Sequence, residues 1–349
     1  MKELVDSCWL IVVGCGKFVN RLSFIVERCF AYIKQNESTR LSFYRPQISN
    51  HKSQITNYAI FSILTSYFSL LTSCSLIQPP EDIPSYIRVQ SYTFKDSLNQ
   101  GTNSSRVTDI EVTAGSDYRG FYQIPVSVPI LAKGNQTITI EACVFEDGLS
   151  SSILPYPFYT PFVTTVNLVP GKLDTIKPVF KYKPNIQFLW GQGDFEGPDN
   201  ALKSFGNNTS LIGKTSDKAS VFEGSYSFEA DLSNGRDTFE AISNFKPFVD
   251  PAEPPLPVVW LEMNYKTDVA MDIGIIPLTH VSSPGEQFIS GVNPTTTWKK
   301  VYVNISPTLK YWYGQNQPNT TEYYIYFYAV NTNGGTAHIF IDNLKLLSF

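Results

Sequence analysis

Gln136-Thr-Ile-Thr-Ile-Glu-Ala-Cys-Val-Phe145 decides the class of fold. Ile138, Ile140, Ala142 and Val144 recur at every second position, the period of a strand that presses one face into a core. Lys133-Gly134-Asn135 just before it reads as a tight turn. The pattern repeats outward from there. Tyr86–Phe94, Val107–Ala114, Tyr118–Ile124, Phe162–Val169 and Thr175–Tyr182 are extended runs separated by Gly, Pro and Asn clusters such as Asn99–Ser105. Further strands are expected at Ser225–Asp231, Thr238–Ser243, Val258–Tyr265, Met271–Ile276, Lys299–Asn304, Tyr323–Val330 and Ala337–Leu347, with no helical period sustained between them. Composition agrees: 14% of residues are aromatic, including 24 Phe and 20 Tyr, and only 17% are charged. Pleated, half-buried surfaces favour that balance. The reading is an all-β chain of two tandem β-sandwich domains, over 85–182 and 186–349, with Lys181–Asn185 as the linker because Pro184 interrupts a ladder.

Charge excludes one class of partner. The chain has 27 Lys+Arg against 31 Asp+Glu, a net charge of −4. A nucleic-acid binder needs a strongly basic face to displace phosphate counterions, so nucleic acid is not expected. The five cysteines form no CxxC pair and no Cys/His cluster, which argues against zinc and against a disulfide framework. Cys143, between Ala142 and Val144, reads as a small core residue.

Tyr58–Ser73 (YAIFSILTSYFSLLTS) is apolar and uncharged but shorter than the roughly twenty residues that span a bilayer. It suits the apolar region of a signal peptide. Leu71-Thr-Ser-Cys74 follows, then a tail with Pro79, Pro80, Glu81, Asp82 and Pro84. This order resembles the lipobox of bacterial lipoproteins. The resemblance implies lipidation of Cys74 and a lipid-anchored tether over 74–84; acyl chains insert at about 0.8 kcal/mol per buried methylene, enough without a spanning helix. Residues 1–57 read as an extension outside the folded protein, with translation expected to begin near Ile48 or Ile55; the other reading is a genuine cytoplasmic or membrane-inserted extension. Asp96-Ser-Leu98 and Asp174-Thr-Ile176 resemble the O-glycosylation sites of exported Bacteroidota proteins. Together these point to an outer-membrane lipoprotein, on the periplasmic or the surface side.

Residues 108–144 are similar to PEGA-type small sandwich modules, in strand, turn and proline order, which implies a spacer. Four pieces of the second half, in sequence, resemble galactose-binding-like jelly rolls of carbohydrate-binding modules: 194–197 (DFEG), 223–232 (EGSYSFEADL), 295–305 (TTTWKKVYVNI) and 337–347 (AHIFIDNLKLL). That resemblance implies a jelly roll over 186–349 and a glycan on a concave face or at loop tips. It also implies a structural Ca²⁺ held by Glu196 and Asp342. A hard cation takes six to eight oxygens, which carboxylates and backbone carbonyls supply together. The plainer readings are a solvated turn acid at Glu196 and a turn cap at Asp342.

Sugars stack their apolar faces on exposed rings. Tyr311, Trp312 and Tyr313 in LKYWYGQNQPNTT, read as a loop, are the first candidates, with Asn316, Gln317 and Asn319 as hydroxyl partners. Tyr324, Tyr326 and Tyr328 alternate with Tyr323, Ile325 and Phe327, and form either a platform or ordinary sheet surface. Trp260 and Trp298 are read as core, and Tyr156, Phe158 and Tyr159 as a packed edge. Catalysis is not expected: no GxSxG, HExxH or phosphate-cradling glycine loop occurs, His280 and His338 lack partners in sequence, and Glu240, Glu262 and Asp268 form no signature. The functional expectation is a non-catalytic envelope lipoprotein that binds a polysaccharide or another surface partner. The rival expectation is a structural subunit docking on an outer-membrane channel or secretion complex.

Overall fold

The structure is a computed structural model, and it describes residues 81–95, 102–191, 193–247, 258–279, 285–314 and 320–349. Cys74, Asn316, Gln317, Asn319 and His280 lie outside the described residues. Residues Asp82–Phe349 form one compact unit. Its fold is all-β, of β-sandwich and jelly-roll type, with a single short helix among the described residues.

The first ten strands are β1 (Ser85–Val89), β2 (Thr93–Phe94), β3 (Asp109–Ala114), β4 (Asp117–Gln123), β5 (Val126–Ile130), β6 (Gly134–Phe145), β7 (Ile153–Pro155), β8 (Phe162–Leu168), β9 (Leu173–Ile176) and β10 (Val179–Phe180). One sheet runs β4-β3-β6, with both β7 and β8 paired to β6. A smaller sheet runs β5-β1-β9, and β2 pairs with β10. Ile87, Val89 and Val128 meet Ile110, Ile138 and Ile140 in one core, the alternation that defines β6 in the sequence. Cys143 is fully buried and free, as a small core residue should be.

The second set is β11 (Gln187–Phe188), β12 (Leu202–Ser204), β13 (Leu211–Thr215), β14 (Ser227–Asp231), β15 (Thr238–Ser243), β16 (Val259–Thr267), β17 (Met271–Thr279), β18 (Gln287–Val292), β19 (Thr295–Asn304), α1 (Ser306–Gly314), β20 (Thr320–Val330) and β21 (His338–Ser348). A six-stranded sheet runs β13-β14-β21-β16-β19, with β11 also on β21. A five-stranded sheet runs β12-β15-β20-β17-β18. Phe228, Leu261, Met263 and Ile341 of the first meet Phe239, Ile273, Ile325 and Phe327 of the second in a separate core.

β16 is buried along nearly its whole length, on both faces. Leu261 and Met263 point into its own sandwich. Trp260, Tyr302 and Leu347 belong instead to the core of the first ten strands, which cover the outer face of the six-stranded sheet. Trp260 is therefore inside, as expected, but at the seam between the two sandwiches. Its ring meets Tyr156 edge-on at 5.3 Å. Tyr156, Phe158 and Tyr159 are buried here, as the sequence suggested.

At the centre of the seam sits Glu262, with no exposure to solvent. It accepts hydrogen bonds from Tyr156 Oη at 2.8 Å and Tyr182 Oη at 2.9 Å, and pairs with Lys300 Nζ at 2.8 Å. Lys345 Nζ donates to Tyr182 Oη at 3.3 Å and to the Thr102 carbonyl at 3.0 Å. Burial works to raise the Glu262 pKa, but Lys300 and Lys345 overcome it and hold the carboxyl below its ordinary value. Burial, and then the charge of Glu262, push the Tyr156, Tyr159 and Tyr182 phenols well above theirs, so they stay donors. The segment read as a linker is thus part of a packed joint: Tyr182 is 3% exposed and hydrogen-bonded across it. The reason is that proline at 184 stops a ladder without stopping the preceding ring from packing.

Candidate functional site

The six-stranded sheet has its outer face covered, but the five-stranded sheet carries only a small apolar cluster on its own outer face. The alternation in β20 decides which rings stand there. Tyr323, Ile325 and Phe327 are fully buried in the sandwich core. Tyr324, Tyr326 and Tyr328 take the opposite side with Ile242, Ile276 and Phe205. Tyr326 and Tyr328 lie nearly parallel, 10° apart with centroids at 6.4 Å. Phe205 meets Tyr326 edge-on at 6.4 Å.

Register places a gap beside this row. Tyr326 pairs with Gly274 of β17, and Gly274 pairs with Phe288 of β18. Ile289 turns to the core, so Phe288 stands on the outer side, 65% exposed. A β-bulge falls between Ile273 and Gly274. A Cβ at Gly274 would sit 2.2 Å from the Gln287 carbonyl oxygen, so the bulge admits only glycine. The result is that the Gln287 carbonyl, and no side chain, fills the place between Tyr326, itself 9% exposed, and the exposed ring of Phe288.

Acids flank the aromatic row. Tyr326 Oη donates to Glu240 Oε1 at 3.3 Å, and the Asn207 amide donates to Glu240 Oε2 at 2.6 Å. Burial, then Glu240 and Glu286, raise the Tyr326 phenol above its ordinary pKa and keep it a donor. Asp272, exposed, pairs in register with Tyr328. Lys203 Nζ lies 4.9 Å above the Tyr324 ring. Beyond Tyr328 a cavity of about 340 Å³ opens, lined by Asp268, Asp272, Pro294, Thr332 and Asn333 among others. Rings supply flat apolar surface and the carboxylates supply acceptors for hydroxyl groups.

The residues first singled out fall elsewhere. Tyr311, Trp312 and Tyr313 lie on α1, where a polar loop was expected. Pro307 in the first turn needs no N–H partner, Ser306 Oγ bonds the Val259 carbonyl at 3.1 Å, and Leu309 anchors the helix in the core at 2% exposure. Tyr311 is 58% exposed, and its ring meets that of the half-buried Trp312 edge-on at 5.7 Å. Trp298 packs on Phe222 at 5.3 Å and is only partly buried, outside the core cluster in which it was expected. His338 lies at the start of β21, with Nδ1 3.2 Å from Glu229 Oε1.

Glu196 and Asp342 grip the same turn from two sides. Glu196 Oε1 accepts the amides of Ser225 and Tyr226 at 2.8 and 2.9 Å. Asp342 Oδ2 accepts Ser227 Oγ at 2.7 Å, and Oδ1 accepts the Asn343 amide at 2.7 Å. Burial, with a smaller push from Glu223, raises the Asp342 pKa to about 7. Among the described residues no group of three or more His, Cys, Asp or Glu converges to hold a metal. An all-oxygen donor pair with one desolvated carboxylate suits a hard cation in type, provided that carbonyls of the 223–227 turn complete the shell.

Phe288, Phe205, Gly274 and Asp272 were not singled out from sequence. Strict alternation fails in Gln287–Val292, where Ile289 is the extra residue of the bulge, so no period marked Phe288.

No protein-family model matches the chain, and no curated protein matches it. Among solved structures, it is similar to a carbohydrate-binding module described for promiscuous specificity in the β-sandwich superfamily, at 14% identity and a TM-score of 0.32, covering 76% of this chain and 99% of that one. It is similar to the module TmCBM61, solved with β-1,4-galactotriose, at 15% identity and a TM-score of 0.31, over 46% of this chain and 97% of that one. It is also similar to the enzymatically active domain of tailspike protein 4 of bacteriophage CBA120, at 14% identity and a TM-score of 0.32, over 50% of this chain and 26% of that one.

Proposed function

We propose that the chain is a non-catalytic glycan-binding protein whose ligand lies across the outer face of the five-stranded sheet. The observation behind this is the aromatic row of that face, in which Gly274 carries no side chain between Tyr326 and the exposed ring of Phe288. A pyranose placed there stacks on rings while the exposed Glu286 and Asp272 accept its hydroxyl protons or repel an anionic group, and the buried Glu240 holds Tyr326. The preferred ligand is therefore a neutral oligosaccharide, with the cavity beyond Tyr328 taking one end. Both Glu240 oxygens are engaged, by Tyr326 and by the Asn207 amide, which suits a fixed acceptor better than a general acid.

Three further elements belong to the proposal. A lipid on Cys74 holds the protein at the bacterial outer membrane. A calcium ion at Glu196 and Asp342 stiffens the 223–227 turn. Tyr311, with its neighbours on α1, adds a secondary contact.

Screening a glycan array, followed by affinity electrophoresis in the retained polysaccharide, tests the reading. Retention by the native protein, loss of it in Phe288→Ala, and no new reducing ends support it. Co-purification with a membrane complex and no glycan retention favours the structural subunit. Turnover abolished by Glu240→Gln makes the protein an enzyme.

A further inference from the structure

A second cleft, which begins at Gly291, the residue that pairs through Asp272 with Tyr328, has the opposite charge. It opens at the outer edge of β19, where Glu146 in the turn after β6 bridges Tyr302 and the segment before β3 and the end of β18 approach, and encloses about 280 Å³. Arg106, Thr108, Ser150, Tyr265, Asn293 and Lys299 contribute to its lining, and no acidic residue does. Both Arg106 and Lys299 are exposed, and among the described residues neither makes an ion pair. The third cation, Lys300, is already committed to Glu262. Two acids of the turn after β6 are engaged elsewhere, Asp147 Oδ1 accepting the Asn304 amide at 2.8 Å and Glu146 Oε1 accepting Asn304 Nδ2 at 2.7 Å, while Asp272 Oδ1 stands 3.4 Å from where a Cβ at Gly291 would lie.

The cleft is also held in shape. The Arg106 amide donates to Tyr302 Oη at 2.8 Å, and its guanidinium lies 6.0 Å over the Phe145 ring, with Nη1 3.5 Å from the Lys300 carbonyl. Tyr265 is 7% exposed, and Arg106 is near enough to oppose the rise that burial imposes on its phenol. Thr108 Oγ1 is shielded from solvent and has no hydrogen-bond partner in the protein. A shielded hydroxyl left unmatched costs free energy that a ligand atom recovers.

We infer that this cleft binds the anionic group of an acidic sugar, a carboxylate or a sulfate ester, with Arg106 and Lys299 on the charge and Thr108 on a ligand oxygen. Two unpaired cations facing one partly enclosed space repel each other, and an anion between them removes that cost. Guanidinium matches carboxylate and sulfate oxygens in a two-bond fork. Drug-sized ligands occupy clefts of about 300–1,000 Å³, so this volume suits a single sugar ring. The inference does not depend on the tyrosine face, whose acids disfavour the same ligand.

The test is titration of the intact protein with glucuronate, glucose 6-sulfate and glucose, followed by amide chemical shifts. Saturable binding of at least one of the acids and not of glucose is expected, the tighter one identifying the recognised group. Arg106→Ala and Lys299→Ala each weaken it about tenfold, and added salt weakens it further. Arg106→Ala keeps the backbone bond to Tyr302, so its fold is checked by the unshifted Tyr302 region. Failure of both acids to saturate, equal binding of glucose, or full binding in both variants overturns the inference.

Discussion

Glu262 Oε2 lies 2.8 Å from Lys300 Nζ, with both side chains out of water between the two sandwiches. Taking two charges out of solvent is costly, and the geometry that offsets it here includes two phenols and Lys345. Removing one partner should therefore be severe. Glu262→Gln leaves two lysines without a counter-charge and is expected to cost about 3–5 kcal/mol. Tyr182→Phe removes one bond to the carboxylate, about 1.5–3 kcal/mol. Urea midpoints of the three proteins check both values.

The same carboxyl sets an acid limit. Its pKa is lowered in the fold from the ordinary 4.5. The folded state thus binds fewer protons than the unfolded chain, and the contribution is complete above about pH 4.5 and lost as pH falls through the lowered value. Stability of the native protein should drop on acidification below that point. Glu262→Gln should show a shallower slope in the same window, measured by urea denaturation at each pH.

Asp147 has the opposite sign. Burial raises its pKa from 3.8 to about 6. Here the folded state binds more protons, so stability falls as pH rises from about 4 to 6. Asp147→Asn keeps an acceptor for the Asn304 amide and tolerates the positive φ of 54°. It is expected to remove that decline and to melt a few degrees higher at pH 7, by calorimetry.

Gly274→Ala places a methyl group against the Gln287 carbonyl, 2.2 Å away. Separation of β17 from β18 should cost about 1–3 kcal/mol and move Phe288 away from Tyr326. Glycan retention should then fall even where the protein remains folded by circular dichroism.

Calcium gives the fifth check. If the 223–227 turn holds the ion, millimolar Ca²⁺ raises the melting temperature, chelation reverses it, and Asp342→Asn is insensitive to both. An unchanged melting curve in all three states removes calcium from the proposal.

Much of the architecture was legible because strand period and core face coincide. Thr238–Ser243 and the long β6 stand where alternation put them, and the Tyr323 to Tyr328 row splits between core and outer face as its period requires. What was hidden came from partners distant in sequence. Glu262 and Tyr182 are unremarkable locally, and become a buried network only because residues 80 positions apart meet. β12 has three residues, and a bulge interrupts the pairing of β17 with β18, so neither β12 nor β18 offers a period to read. The helix at 306–314 was missed although Ser306 and Pro307 mark a start, because aromatic and polar residues beyond it resembled an exposed loop.

The central claim is that neutral sugars lie beside Gly274. Backbone hydrogen exchange of the native protein, with and without a panel of neutral gluco-, galacto- and manno-configured hexasaccharides, tests it most directly. Slowed exchange concentrated on β17, β18 and β20, and absent in Phe288→Ala, is the predicted result. Protection confined to α1, or none with any of the oligosaccharides, contradicts it.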